Sequence, residues 1–261
     1  MSKVIATTTA FLLSLMAFAQ VSESRTVAEF SKLKASQGIA VFYTVSTTNS
    51  IKVETDDNEK MKFIKTEVEG GILKIFIDTY SENNSNNKRK KKNYNNNVNF
   101  KTLKVFVSGP SLQSIKASSS ANIKMENTNS ANQVDIAVSS SGSVSGKFNC
   151  NSISIDASSS GDFKGEVEAK TVAVETSSSA DVDLNGKTIQ LNIKSSSSST
   201  CNTDKLLAEE VLATASSSAD INVYASKSLE AKASSSADIN YYGNPSQVNV
   251  EKSSSGSVNK R

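Results

Sequence analysis

A run of three serines recurs eight times in the second half of the chain. Its first residue stands at Ser118, Ser139, Ser158, Ser177, Ser196, Ser216, Ser234 and Ser253, at spacings of 21, 19, 19, 19, 20, 18 and 19 residues. Self-similarity at a near-constant period of this size is the signature of a stacked repeat architecture, because one such unit cannot bury an apolar face alone. The competing reading is a flexible serine-rich linker, and the residues around the triplets decide between the two.

Three apolar columns stay in phase with the triplets. Five residues before the first serine stand Val134, Ile153, Val172, Leu191, Val211, Leu229 and Val248, with Gln113 in the first copy. Three before it stand Ile115, Ile136, Ile155, Val174, Ile193, Ala213, Ala231 and Val250, and five after it Ile123, Val144, Phe163, Val182, Cys201, Ile221, Ile239 and Val258. A disordered tract has no reason to hold such columns. All three share one parity, as does the small residue just before each triplet (Ala117, Ala157, Ala215, Ala233), which is the alternation of a strand with one buried face. Period 2 and β-branched residues argue against short helical repeats.

Carrying that parity through the triplet places the middle serine inward (Ser119, Ser140, Ser159, Ser178, Ser197, Ser217, Ser235, Ser254), followed by an inward Ala or Gly such as Ala121, Gly142 or Ala180. Buried hydroxyls would then have to bond neighbouring rungs or backbone, since an unpaired one costs on the order of 1–3 kcal/mol. Coils stacked about 4.8 Å apart bring each aliphatic residue against its counterparts above and below. Pro110 and Pro245 both fall eight residues before a triplet, marking a turn where no backbone donor is needed. The expected fold is all-β: a right-handed parallel β-helix with rungs of about 19 residues over 111–261, preceded by an N-terminal β capping region over 20–110.

Composition agrees with a thin core. Only 37% of the 261 residues are hydrophobic and 6% aromatic, with no Trp. Residues 1–19 read as a secretory signal: Lys3, an apolar or small stretch from Val4 to Phe18, and Ala17-Phe18-Ala19 before Gln20. The stretch is shorter than the roughly 20 apolar residues of a membrane span, and no other segment comes close. The expected location is therefore outside the cytoplasm: periplasmic, associated with the outer membrane, or extracellular.

From Arg25 to Pro110 the alternation continues without the serine motif. The strand-like runs are Phe30 to Leu33, Ile39 to Thr44, Ile51 to Val53, Ile72 to Ile77 after Gly70-Gly71, and Leu103 to Val107. Larger residues suggest a fatter β region that caps or begins the solenoid, whose first coil would otherwise present an open edge. Between the last two runs, residues 82–99 are Asn-rich and carry Lys88, Arg89, Lys90, Lys91 and Lys92. These five account for more than the whole formal net charge of +3, so the basicity is local and a nucleic-acid-binding body is not indicated. The run reads either as a solvated loop or as a contact for an anionic surface.

The series Phe30-Ser-Lys-Leu33, Gly38-Ile-Ala-Val-Phe-Tyr-Thr44, Gly71-Ile-Leu-Lys-Ile75 and Leu103-Lys-Val-Phe-Val-Ser-Gly-Pro-Ser-Leu112, followed by Ser/Ala/Asp-rich repeats, resembles the secreted bacterial family called putative autotransporter adhesin, head GIN domain. The resemblance spans nearly the whole chain after the signal. It departs at Ala40, where the name-giving motif has Asn or Asp, and in the Asn/Lys insertion. It implies a β-helical fold outside the cytoplasm and an adhesin-like role, with no catalytic or binding residues to carry over.

Candidate sites follow from the outward positions. The first and third serine of each triplet, and the residue four after the first serine (Asn122, Ser143, Asp162, Asp181, Thr200, Asp220, Asp238, Ser257), form ladders of hydroxyls and carboxylates along one side. Asp162, Asp181, Asp220 and Asp238, with Lys88 to Lys92, are the candidate ligand surface, suited to glycan or another cell-surface component; the plainer reading is that a sheet face must be polar somewhere. No cofactor is expected. Calcium would suit Asp162 and Asp181 one rung apart, but the glycine-rich nonapeptide of calcium-binding β-rolls is absent.

Cys150 and Cys201 lie about 2.7 rungs apart, on the order of 13 Å along the axis, too far for a disulfide. With no His in the chain, histidine-based nucleophile activation, acid–base work and the usual zinc sites are removed. Arg occurs only at positions 25, 89 and 261, and no rung carries a loop insertion, which argues against the alternative of a polysaccharide-acting β-helix enzyme. A purely structural or assembly module is the remaining alternative. The final coil ends at Lys260-Arg261, so charge either guards a raw edge or that edge pairs with a second copy, making a homo-oligomer.

Overall fold

The serine triplets are turns, and their backbone explains both the repeat and one error in the parity argument. In each, the second and third serines are left-handed, from φ 45° at Ser254 to 63° at Ser120. In most copies the residue after the triplet donates its N–H to the first serine's carbonyl, as from Gly161 to Ser158 at 3.0 Å. Two positive φ values closed by such a bond define the tight turn that Asn-Gly forms most readily. Two left-handed residues break the alternation of an extended chain. The middle serines, Ser119, Ser140, Ser159, Ser178, Ser197, Ser217, Ser235 and Ser254, are therefore exposed and not inward, while the following Ala or Gly is buried in the rungs before the last. The turns also stack: Ser141 N–H donates to Ser159 O at 3.1 Å and Ser160 N–H to Ser178 O at 3.0 Å.

The computed structural model describes residues 21–81, 93–94 and 98–261. Each rung has a first wall leading into the turn and a second wall leaving it, and parallel pairing keeps the rungs in register. On the first wall Leu73, Leu33, Ile115, Ile136, Ile155, Val174, Ile193, Ala213, Ala231 and Val250 form one column. On the second wall the column runs Val105, Val41, Ile123, Val144, Phe163, Val182, Cys201, Ile221, Ile239, Val258. Nearly all of these side chains are buried, and each Val or Ile contributes roughly 1.5–3 kcal/mol by leaving water. The expected parallel solenoid is thus the fold.

The N-terminal residues supply rungs of the same ladder. Lys32–Ala35 and Ala40–Val45 pair in parallel with Ser114–Ala117 and Asn122–Met125. Their connection, Ser36-Gln37-Gly38, is a further copy of the turn, with Gln37 at φ 62° and Gly38 at 71°. Ile72–Ile77 and Leu103–Gly109 stack on the far side of that rung. The end is closed by antiparallel strands: Ile64–Glu69 on Ile72–Ile77, and Ser50–Thr55 on Leu103–Gly109 with Val21–Arg25 beyond. Arg25 ties these together, donating from Nη1 to Ile64 O at 2.6 Å and from Nη2 to Met61 O at 3.2 Å. After the cap-edge strand Val21–Arg25 the path therefore enters the stack at Lys32, leaves it to build the cap, and rejoins it through Leu103–Gly109 and Ser114.

Where the ladder is interrupted, asparagine side chains replace backbone. Asn129 is fully buried; its Oδ1 accepts from Leu112 N at 2.7 Å and its Nδ2 donates to Leu112 O at 2.9 Å. Asn127 does the same for Val45. Hydroxyls that do point inward are satisfied by one another or by backbone: Thr176 Oγ1 lies 2.5 Å from Ser195 Oγ and 2.9 Å from Ser199 Oγ, and Thr203 Oγ1 donates to Asn222 O at 3.0 Å.

The two ends differ. At the C-terminal rung Val248 and Val250 occupy core columns yet are 47% and 37% exposed, because no rung covers them. Lys252 holds the inward position next in that strand and donates to Val258 O at 3.0 Å, setting a charge over the open end.

Candidate binding surfaces

The register assembles the outward residues of the second wall into two parallel ladders. One is the expected series Asn122, Ser143, Asp162, Asp181, Thr200, Asp220, Asp238, Ser257, every neighbouring pair being in register. On its N-terminal side Asn122 pairs with Ala40, and Ala40 with Lys104. Asn122 Nδ2 donates to Ser143 Oγ at 2.5 Å, and Ser257 Oγ to Asp238. Partial burial, then Asp181 and Asp183, push the Asp162 carboxyl above the ordinary aspartate value; partial burial and Asp238 do the same to Asp220.

The second ladder lies two residues further on and was not singled out from sequence: Lys164, Asp183, Asn202, Asn222, Asn240, Asn259. Here Asn202 Nδ2 donates to Asp183 Oδ1 at 2.9 Å, Asn222 to Asn202 at 2.8 Å and Asn240 to Asn222 at 3.1 Å, and Arg261 Nε completes the chain onto Asn240 Oδ1 at 2.9 Å. The signal was present as an Asn or Asp two residues after each ladder position in the later repeats. Together with the exposed serines of the turns, the second wall carries a flat strip of fixed donors and acceptors, one set per rung.

Asp162 and Asp181 are register partners, but among the described residues no group of three or more metal-ligating side chains converges. Both cysteines are free, Cys201 in the core and Cys150 half-buried, where burial pushes its thiol up to about 11. Lys88, Arg89, Lys90, Lys91 and Lys92 lie outside the described residues.

The first wall is different in charge and shape. At its N-terminal end Lys74, Lys34 and Lys116 stack on three successive strands, with Lys32 two residues before Lys34. They line a groove of about 810 Å³ with Gln113, Ser114, Asn132, Gln133, Asp135 and Asp156. In sequence each column lysine directly follows an aliphatic residue of the same core column (Leu73, Leu33, Ile115), a signal visible only once those three are aligned.

These features define a parallel β-solenoid with polar, ladder-forming outer walls. The chain belongs to the family described as putative auto-transporter adhesin, head GIN domain, which matches residues 29–245. Among solved structures it is similar to a putative adhesin from Parabacteroides merdae, with TM-score 0.82 and 16% identity over 93% of this chain and 96% of that one. It is similar also to a putative lipid binding protein from Parabacteroides distasonis, with TM-score 0.80 and 19% identity over 93% and 96%. At these identities the likeness is one of fold. Comparison with curated proteins gives no match. The motif Gly38-Ile39-Ala40 acquires a structural meaning: Gly38 is the left-handed end of a turn, Ile39 enters the core, and Ala40 stands in the outward column between Lys104 and Asn122.

Proposed function

We propose that the chain is an exported, non-catalytic, adhesin-like protein of the cell envelope that holds glycan or another surface component on the outer face of its solenoid or on the basic run Lys88 to Lys92. The observation that carries this reading is the register of the second wall, which repeats hydroxyl, carboxylate and amide groups at about 4.8 Å without a break. Such a strip matches a ligand with its own linear repeat of hydroxyls, and its internal hydrogen bonds hold the groups in place before binding. Removal of residues 1–19 on export belongs to the same proposal. Among the described residues no helix is long and apolar enough to cross a membrane. The absence of His from the sequence and, among the described residues, of any group of three or more metal-ligating side chains support a binding rather than a chemical role.

The test is a glycan and matrix-protein array probed with residues 20–261. It is repeated with Asp162, Asp181, Asp220 and Asp238 changed to Asn, and separately with Lys88 to Lys92 neutralised. Binding lost in the first variant assigns recognition to the ladder, and binding lost only in the second assigns it to the basic run. Turnover of a glycan abolished by one Asp substitution would overturn the non-catalytic reading.

A further inference from the structure

Parallel strands bring Lys74, Lys34 and Lys116 directly opposite one another, and like charges so placed on neighbouring strands destabilise a sheet. Lys74 has Glu69 as its partner. No ion pair among the described residues involves Lys32, Lys34 or Lys116, all three of which are exposed. Lys32 and Lys34 therefore stand without an ion-pair partner, and Lys116 acts on the Asp156 carboxyl without pairing with it, so that with Lys74 they make a cationic groove of about one charge per rung, spanning on the order of 10 Å.

We infer that this lysine column is a binding site for a linear acidic polysaccharide lying along the solenoid axis, its successive carboxylate or sulfate groups each meeting one rung. The inference rests on the surface-binding reading above and narrows it to a ligand class and a place. Three features favour a sugar chain. The groove wall beside the lysines offers amides and hydroxyls, from Gln113, Asn132 and Gln133 and from Ser114, which suit sugar hydroxyls. No aromatic side chain lines it, and the single ring Phe76, beside Lys34 and Lys74 in the adjoining pocket, is too little for successive bases of a nucleic acid to stack on. Beside the lysines the groove offers only the partly buried Ile72, and the exposed apolar side chains Phe106, Ile189, Leu207, Leu212, Val248 and Val250 all lie outside it, so a lipid surface would find little apolar anchorage there.

The column also sets the ligand's length. Beyond Lys116 it continues through Ala137 to Asp156 and Glu175, and Asp135 and Asp156 close the C-terminal side of the groove. A longer chain would run from lysines onto carboxylates. Affinity therefore rises with oligosaccharide length only until about three acid groups are engaged, one per lysine rung.

The test is titration calorimetry of the purified protein with uronate oligosaccharides of increasing length. Dextran sulfate, a neutral glucan and vesicles containing anionic lipid are measured in parallel. The protein is expected to bind the acidic saccharides and neither the glucan nor the vesicles, with affinity falling as salt is raised. Changing Lys34→Gln together with Lys116→Gln should weaken binding roughly tenfold or more, the loss of two charge-assisted contacts. Lys34→Arg with Lys116→Arg should retain it, which separates lost charge from lost fold. Unchanged affinity in the Gln pair, loss only on neutralising Lys88 to Lys92, or lysine-dependent binding of vesicles in place of saccharides would each overturn the inference. If the array detects a ligand held by the aspartate ladder while the Gln pair is unaffected, the adhesin-like reading stands and the lysine site alone falls.

Discussion

The left-handed serine turns make a prediction that reverses sign between two serines of the same rung. Ser160 has φ 58°, and its N–H is bonded to the next turn. A left-handed conformation costs an L-residue roughly 1–2 kcal/mol, which Gly escapes while adding roughly 0.5–1 kcal/mol of unfolded-state entropy. Ser160→Gly is thus expected to lie between neutral and about 1 kcal/mol stabilising. Ser160→Val places a β-branched side chain at positive φ and should cost about 1–3 kcal/mol. Ser154 faces outward in the extended strand that precedes the turn, between Asp135 and Ala173. There the order inverts: Ser154→Val is neutral or favourable and Ser154→Gly costs about 0.5–1 kcal/mol. Urea unfolding followed by circular dichroism reads all four. Because long repeat arrays can unfold in segments, the midpoint should be paired with local amide exchange in that rung. The same order of Gly, Ser and Val at both positions would refute the turn assignment.

Asn129→Ala strips the buried Leu112 N–H and C=O of their partners, and an unfolding midpoint lowered by about 1–3 kcal/mol is expected. Lys252→Val extends the apolar end formed by Val248 and Val250, and light scattering should show more self-association than for the unsubstituted chain at equal concentration. The carboxyls of Asp162 and Asp220 sit above the ordinary aspartate value of 3.8 in the folded chain, so in that window the folded state holds more protons than the unfolded one. Stability should therefore fall as pH rises from the ordinary aspartate value through the raised one, and Asp162→Asn with Asp220→Asn should flatten thermal midpoints measured across that range. Asp56, lowered to about 2 by its hydrogen bond with Lys60, acts oppositely: its contribution is present above 3.8 and is lost as pH falls through about 2.

The fold was legible because its largest energetic term is written as a period. Val, Ile and Leu recur in fixed phase with the triplets, and a coil of this length has only its neighbours to bury them against. What sequence reasoning missed has physical causes. The middle serines were placed inward because parity holds only for extended backbone, and two left-handed residues cancel it. The rung made by residues 32–45 was hidden because Ser36-Gln37-Gly38 makes the turn without three serines.

A further buried set, including Phe148, Val167, Leu206 and Ala225, keeps nearly the same phase but escaped because Gly186 interrupts it between Val167 and Leu206, and the register shifts between Thr203 and Ala208 move Ala225 by one residue against the following triplet. The aspartate ladder was legible as a phase in the repeat. The lysine column was not, since Lys34, Lys74 and Lys116 come from three unlike segments whose contact is set by a chain path that doubles back to build its cap.

Residue-resolved amide hydrogen exchange through the triplets tests the stacked-turn solenoid most directly. In the copies at Ser139 and Ser158 the first serine, the third serine and the following glycine each donate a backbone hydrogen bond, whereas the middle serine has no backbone acceptor among the described residues. The expected result is a motif of three slow amides around one fast one, repeated in the copies at Ser118, Ser139, Ser158, Ser177, Ser216 and Ser234. Uniformly fast exchange across the triplets, as in a solvated serine linker, would contradict it.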